Sequence, residues 1–277
     1  MSDSQVENSD SLSNEFLALH QQSGAFVLPN PWDVGSARIL AGMGYPALAT
    51  SSQGFAFTIG NQDGNVPRDL MLEHCAEVVS AVAIPVSADL EECYADTPGQ
   101  VADTISLAAA IGLAGGSIED YSGLVTRRMF SLEEARERVM AAVEAARSSD
   151  NGFVVTARAE GFLRGAPVLG EVIARLNAFA EVGADVLYAP GLPDLEAVRT
   201  LCAAVDKPVN VLAVGALAQH SVAELADAGA SRVSLGSMLS RHVLAYLVEA
   251  ARETLELGTF SWADKLGGGK AIDGVMR

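Results

Sequence analysis

The sequence predicts a single-domain (β/α)8 barrel, an α/β fold of eight parallel strands with helices between them. Three observations point there. The chain has 277 residues, close to the ~250 that such a barrel needs. Short apolar runs alternate with longer stretches whose apolar residues recur three and four apart, and the pair repeats around the whole chain. No G-x-G-x-x-G follows the first apolar run, which counts against the rival doubly wound sheet.

The elements follow in order. Residues 1–11, MSDSQVENSDS, form a polar, acidic lead that is expected to be disordered. It has neither the basic nor the apolar region of a signal peptide. A first helix is expected near residues 12–22. The strand candidates are AFVLPN (25–30), ALATSS (47–52), IPVSADL (84–90), GGSIED (115–120), FVVTAR (153–158), DVLYAP (185–190), PVNVLA (208–213) and RVSLGS (232–237). Helical patterns such as PRDLMLEHCAEVVSAV and SLEEARERVMAAVEAARSS fill the intervals. The latter opens with a capping box, Ser131 to Glu134. Gly or Pro punctuates most joints. The barrel domain is assigned to 12–260 and a Gly-rich tail to 261–277, flexible or pinned to a neighbouring subunit.

Composition narrows the function. The formal charge of -17 leaves no basic stripe to neutralise nucleic-acid phosphates or an anionic membrane. No apolar run reaches the ~18 residues of a membrane span. Three widely spaced cysteines, Cys75, Cys93 and Cys202, show no metal-site or disulfide pattern and fit a reduced cytoplasmic protein.

In a barrel of this type the chemistry sits at the C-terminal strand ends. SADLEECY puts Asp89, Glu91 and Glu92 directly after the third apolar run. Glu119 and Asp120 end the fourth strand, with Asp120 expected to orient the next turn. Arg158 and Glu160 end the fifth. Carboxylates gathered from neighbouring strands repel one another unless a cation lies between them. Oxygen donors without His or Cys favour Mg2+, with Mn2+ as the alternative. Arg158 beside them is expected to hold a substrate carboxylate. No lysine lies at a strand end, which argues against a Schiff-base aldolase. None of the four histidines lies at one either, and G-x-S-x-G is absent.

These segments resemble the isocitrate lyase/phosphoenolpyruvate mutase superfamily, in its short, mutase-like branch. The resemblance rests on NPWDVGSARILAGMGYPAL, TSSQGFAFTIGNQDG, ADLEECY, SIED, TARAEGF and AEVGADVLYAPG, in that order, across about residues 15–260. It implies Mg2+, a small 2-oxo or 2-hydroxy acid, an enolate-like intermediate, and a homodimer or homotetramer whose last helix is often swapped. Position by position, it implies that Asp89 holds the metal and that Glu119 orients metal-bound water. Ser51, Ser52 and Gln53 lie in the loop that receives the substrate carboxylate. Arg158 contacts substrate, Asp63 belongs to the mobile loop by the metal, and Asn210 lines the pocket.

Two departures matter. Many members carry D-A-D where this chain reads Ser87-Ala88-Asp89, so Glu91 or a water takes the place of the first aspartate. The lyase branch has its acid cysteine in K-K-C-G-H after the fourth strand; here that region is DYSGLVTRRMF, without Cys, His or Lys. Cleavage of the isocitrate type is therefore not expected. The sequence predicts a Mg2+-dependent C–C lyase like an oxaloacetate decarboxylase. The alternatives are a phosphonopyruvate-type mutase or P–C hydrolase, and a non-catalytic 2-oxo acid binder.

Overall fold

The computed structural model describes residues 12–123, 127–149, 151–165, 168–265, 267 and 269–276; the acidic lead lies outside them. Eight parallel strands form one sheet: β1 (Phe26–Leu28), β2 (Leu48–Ala49), β3 (Val86–Asp89), β4 (Gly115–Glu119), β5 (Val154–Arg158), β6 (Val186–Tyr188), β7 (Val209–Leu212) and β8 (Arg232–Ser234). The ladder order is β1-β8-β7-β6-β5-β4-β3-β2. Ala49 N–H donates to Pro29 O at 3.1 Å, bridging β2 to the end of β1 and all but closing the barrel. All eight expected strands are present, each shorter than its apolar run, because the run continues into the loop that carries the chemistry.

The first helix, α1, spans 12–19. The helices of the barrel wall are α2 (Val34–Gly42), α4 (Arg68–Ala81), α5 (Pro98–Ala110), α6 (Leu132–Ser148), α7 (Leu169–Glu181), α8 (Leu195–Ala203) and α9 (Val222–Asp227), with α3 (Ser52–Thr58) inserted after β2. Local chemistry fixes their starts. Asp33, Thr97, Ser131 and Ser221 each close a capping box with the residue three positions on, satisfying N–H groups that the helix itself cannot. The helices bury Ala-, Val- and Leu-rich faces on the sheet, and the largest core cluster runs between them and the outward strand residues. Small side chains keep these layers close. At Gly115 any Cβ would lie 2.6 Å from Val154 O, so β4 and β5 approach as they do only because the position lacks one.

The floor of the barrel, at the N-terminal strand ends, is sealed by α1. Phe16 packs there with Leu28, Ala114, Val154 and Val186. His20 Nδ1 bonds Phe16 O at 2.8 Å, and its Nε2 lies 3.1 Å from Arg232 Nη1. A guanidinium only donates, so Nε2 accepts and Nδ1 carries the proton. Burial, then the Arg232 charge, push the His20 pKa down to about 3, and the ring stays neutral.

After β8 the chain forms α10 (Met238–Leu257), a turn at Ser261–Lys265, and α11 (Gly269–Val275). In α10 the only buried residue is Ser240 among the described residues. The tail is not a bare extension: Val275 of α11 lies over Gly42 of α2, where any side chain would collide.

Candidate functional site

The parallel register delivers the strand-end residues to one place. Asp89 is level with Ser117, Glu119 with Arg158, and Arg158 with Tyr188. They open onto a cavity of about 660 Å³ at the C-terminal mouth, into which Ser51, Ser52, Gln53, Asp63, Glu91 and Asn210 also face. The residues assigned site roles from the sequence therefore line this one cavity, whereas Glu92 and Asp120, also noted at the strand ends, do not.

Arg158 is the hub. Its Nη1 reaches Asp89 Oδ1 at 2.7 Å, its Nη2 reaches Glu119 Oε2 at 3.1 Å, and Nη2 and Nε reach Glu160 Oε1 at 2.9 and 3.0 Å. Tyr188 lies under the guanidinium, 5.2 Å from ring centroid to Cζ. Burial alone would lower the Arg158 pKa, but Glu160, Glu119 and Asp89 outweigh it and hold the group charged. One guanidinium cannot neutralise three carboxylates. Burial, with Glu160 adding to it, raises Glu119 well above the usual carboxylate range despite its contact with Arg158.

The Asp89 side is acid-rich. Asp89 Oδ2 accepts from Ser52 Oγ at 2.9 Å, and Asp63 Oδ1 lies 3.2 Å from the same hydroxyl. One hydroxyl proton serves only one of them. Asp63 is pushed up by burial and then by Asp89. Glu91 is pushed up to about 8 by burial, then by Asp89, Glu92 and Asp63, and its buried Oε1 has no hydrogen-bond partner among the described residues. Gln53 links the two sides of the mouth, taking Ser237 Oγ on Oε1 at 2.5 Å. Ser51 caps α3 by accepting from Gly54 N–H at 3.1 Å.

The backbone carrying these acids is strained. Glu91 (φ 49°), Cys93 (φ 63°) and Tyr94 (φ 52°) are all left-handed without being glycine, a conformation costing roughly 1–2 kcal/mol per residue. Arg138 of α6 offsets this by donating to Glu92 O at 2.8 Å and Ala95 O at 2.9 Å. The Cys93 thiol is buried with its pKa pushed up by that burial, the opposite of a reactive thiolate. As expected, Asp120 orients the next turn. Its Oδ1 accepts Glu160 N–H at 2.7 Å, and its Oδ2 pairs with Arg175 at 3.1 Å.

Asn210 lies on the cavity floor. It donates to Ser234 Oγ at 2.9 Å and accepts from Arg232 Nε at 2.8 Å. Among the cavity residues that escaped the sequence reading of the site are Tyr121, Arg164, Arg232 and Arg241. Arg232 opens a strand and Arg241 lies inside a helix, so neither shows in a list of strand ends. Of the two loop arginines after β4, Arg127 lines the cavity, while Arg128 pairs at the surface with Glu134 at 2.8 Å.

A dication fits this donor set. Glu91 Oε1 is an unclaimed buried acceptor, and the cluster around Asp89 has more negative charge than Arg158 balances. No three acidic, imidazole or thiol side chains converge into a ready-made cage among the described residues.

A cavity lined by charged strand-end residues at the C-terminal mouth of a parallel eight-stranded barrel marks a TIM-barrel enzyme. Comparison with known proteins narrows the class. The model of the phosphoenolpyruvate phosphomutase family matches residues 16–255, and the chain belongs to this family, within a superfamily of carbon–carbon lyases and mutases. The crystal structure of a Burkholderia cenocepacia J2315 protein, provisionally named a lyase/mutase, is 45% identical, covers 96% of both chains and superposes with a TM-score of 0.92. An uncharacterized Mycobacterium tuberculosis (H37Rv) protein is 31% identical over 80% of this chain and 82% of its own. The 2-methylisocitrate lyase of Escherichia coli K12 is 28% identical over 67% of this chain and 64% of the lyase. No helix among the described residues is long and apolar enough to cross a membrane.

Proposed function

We propose that the protein is a Mg2+-dependent lyase that cleaves a C–C bond of a small 2-oxo acid, in the manner of an oxaloacetate decarboxylase. The observation that carries this reading is the acid cluster at the mouth, Asp63, Asp89 and Glu91, in which burial and then the Asp89 charge raise the proton affinity of Asp63 and Glu91. Asp89 would hold the ion directly, and Glu119 and Glu91 through water. When bound, the ion supplies positive charge where the oxygen of the substrate becomes anionic.

The chain's own residues do the rest. Arg158 holds Asp89, Glu119 and Glu160 in register and keeps one Nη1–H for the substrate carboxylate. The Ser51–Ser52–Gln53 turn faces the same space. In oxaloacetate the bond to the distal carboxylate breaks, CO2 leaves, and the electron pair passes into the enolate of pyruvate. That enolate takes a proton from water, so no protein acid is required. The DYSGLVTRRMF loop, without Cys, His or Lys, supports this over cleavage of the isocitrate type.

Assembly as a homodimer or homotetramer is part of the proposal. In α10 Val243, Leu244, Leu247 and Val248 are exposed and recur three and four apart, an apolar stripe suited to burial by another subunit; light scattering measures the mass. A cytoplasmic site of action fits the three free cysteines.

The test is a parallel assay with Mg2+ and oxaloacetate, phosphonopyruvate or 2-methylisocitrate, reading pyruvate and phosphate. Pyruvate from oxaloacetate, lost in Asp89→Ala, is expected. Phosphate from phosphonopyruvate alone would move the chemistry to the P–C bond. Binding without turnover of any acid would leave a 2-oxo acid binder.

A further inference from the structure

We propose that Arg164, seated on the ring of Tyr121, receives a second anionic group of the substrate and so selects short diacids over monoacids. This rests on the 2-oxo acid reading of the same site and adds to it the residue that sets specificity.

A guanidinium has five N–H groups. In Arg158 four of them face Asp89, Glu119 and Glu160. One remains, too few for a bidentate grip, and it lies where the reacting head of the substrate must sit. A second carboxylate on the substrate needs another cation.

Arg164 is built for that. Its Cζ lies 4.1 Å from the centroid of the Tyr121 ring, a stacking distance for a cation on an aromatic face. Its nearest carboxylate oxygens, on Glu160 and Glu119, are 3.7 and 3.9 Å away, beyond hydrogen-bond reach. The side chain is 38% exposed and lines the cavity. Its backbone is fixed as well: Leu163 N–H and Arg164 N–H both donate to Glu160 O, at 2.9 and 3.0 Å. Glu160, which bonds Arg158 by its side chain, thus anchors Arg164 by its carbonyl. The two guanidinium groups stand at a set spacing with their donors unequally used. Arg158 is spent on the protein's own acids, and Arg164 keeps its N–H groups for an arriving anion.

The experiment compares two ligands alike in their 2-hydroxy acid head and in size, malate and 2-hydroxybutyrate. Binding is measured by titration calorimetry with Mg2+ on wild type, Arg164→Met, Arg164→Lys and Tyr121→Leu. Wild type is expected to prefer malate at least tenfold. Arg164→Met should erase that preference and leave 2-hydroxybutyrate affinity within twofold, Arg164→Lys should keep part of it, and Tyr121→Leu should reduce it. A merely structural role would weaken both ligands alike, and that result overturns the inference. Equal binding of both acids to wild type overturns it too, while leaving the oxo-acid site standing. If neither acid binds wild type, the site reading falls and takes the inference with it.

Discussion

Replacing Arg158 by Met tests the electrostatic account at its centre. The substitution keeps most of the side-chain volume and removes a guanidinium that contacts Asp89, Glu119 and Glu160 at 2.7, 3.1 and 2.9 Å. Glu119 is 5% exposed and Glu160 0%, so water cannot take over. Breaking one buried ion pair costs about 3–5 kcal/mol, a large share of the 5–15 kcal/mol that holds a typical domain together. At about 2–4 °C per kcal/mol for a chain of this size, the melting temperature at pH 8 should fall by roughly 6–20 °C. The sign with pH follows from linkage. Without the cation the folded acids bind protons more readily than the unfolded ones. Stability then falls as pH rises above the unfolded carboxylate pKa of about 4, so the deficit should shrink at pH 5.5. Mg2+ should recover part of it. Urea unfolding at both pH values, with and without Mg2+, measures all three. A variant as stable as wild type at pH 8 would refute the hub.

Asp89→Asn should lower kcat/KM by about 10²–10³ and abolish the thermal stabilisation by Mg2+, while the metal-free melting temperature falls less than in Arg158→Met, because relieved repulsion with Asp63 and Glu91 offsets the weakened pairing with Arg158. Cys93→Ala should keep kcat within about twofold, since a buried thiol with a raised pKa takes no part, and native-state alkylation should spare Cys93. Arg138→Met should lose two charge-assisted bonds to carbonyls, roughly 1.5–3 kcal/mol each, and loosen the left-handed turn at Glu91, Cys93 and Tyr94, seen as lower stability together with a raised apparent Kd for Mg2+.

Much of this was legible in the sequence because barrel geometry is periodic. Once eight runs are counted, Asp89, Glu119 and Arg158 must share a mouth, and they do. What escaped lacks periodicity or lies far away in the chain. The helix Ser52–Thr58 begins inside an apolar run and lasts seven residues, too few to display a helical period. The left-handed backbone at Glu91, Cys93 and Tyr94 has no glycine to announce it and is held by an arginine more than 40 residues on. A strand-end position shows the Arg158 donors but not their local acceptors, and Glu160, two residues away, takes two of them. Arg232 and His20 are separated by 212 positions, and no local pattern joins them.

That last pair has a consequence for how the molecule is made. Helix α1 docks on a strand made more than 200 residues after it, and β1 finds its ladder partner only then. Contacts so remote along the chain are slow to form. Nascent chains stalled short of residue 232 should therefore remain open to protease at both the amino-terminal helix and the unpaired edge of the sheet, and acquire resistance in one step when the final strand arrives.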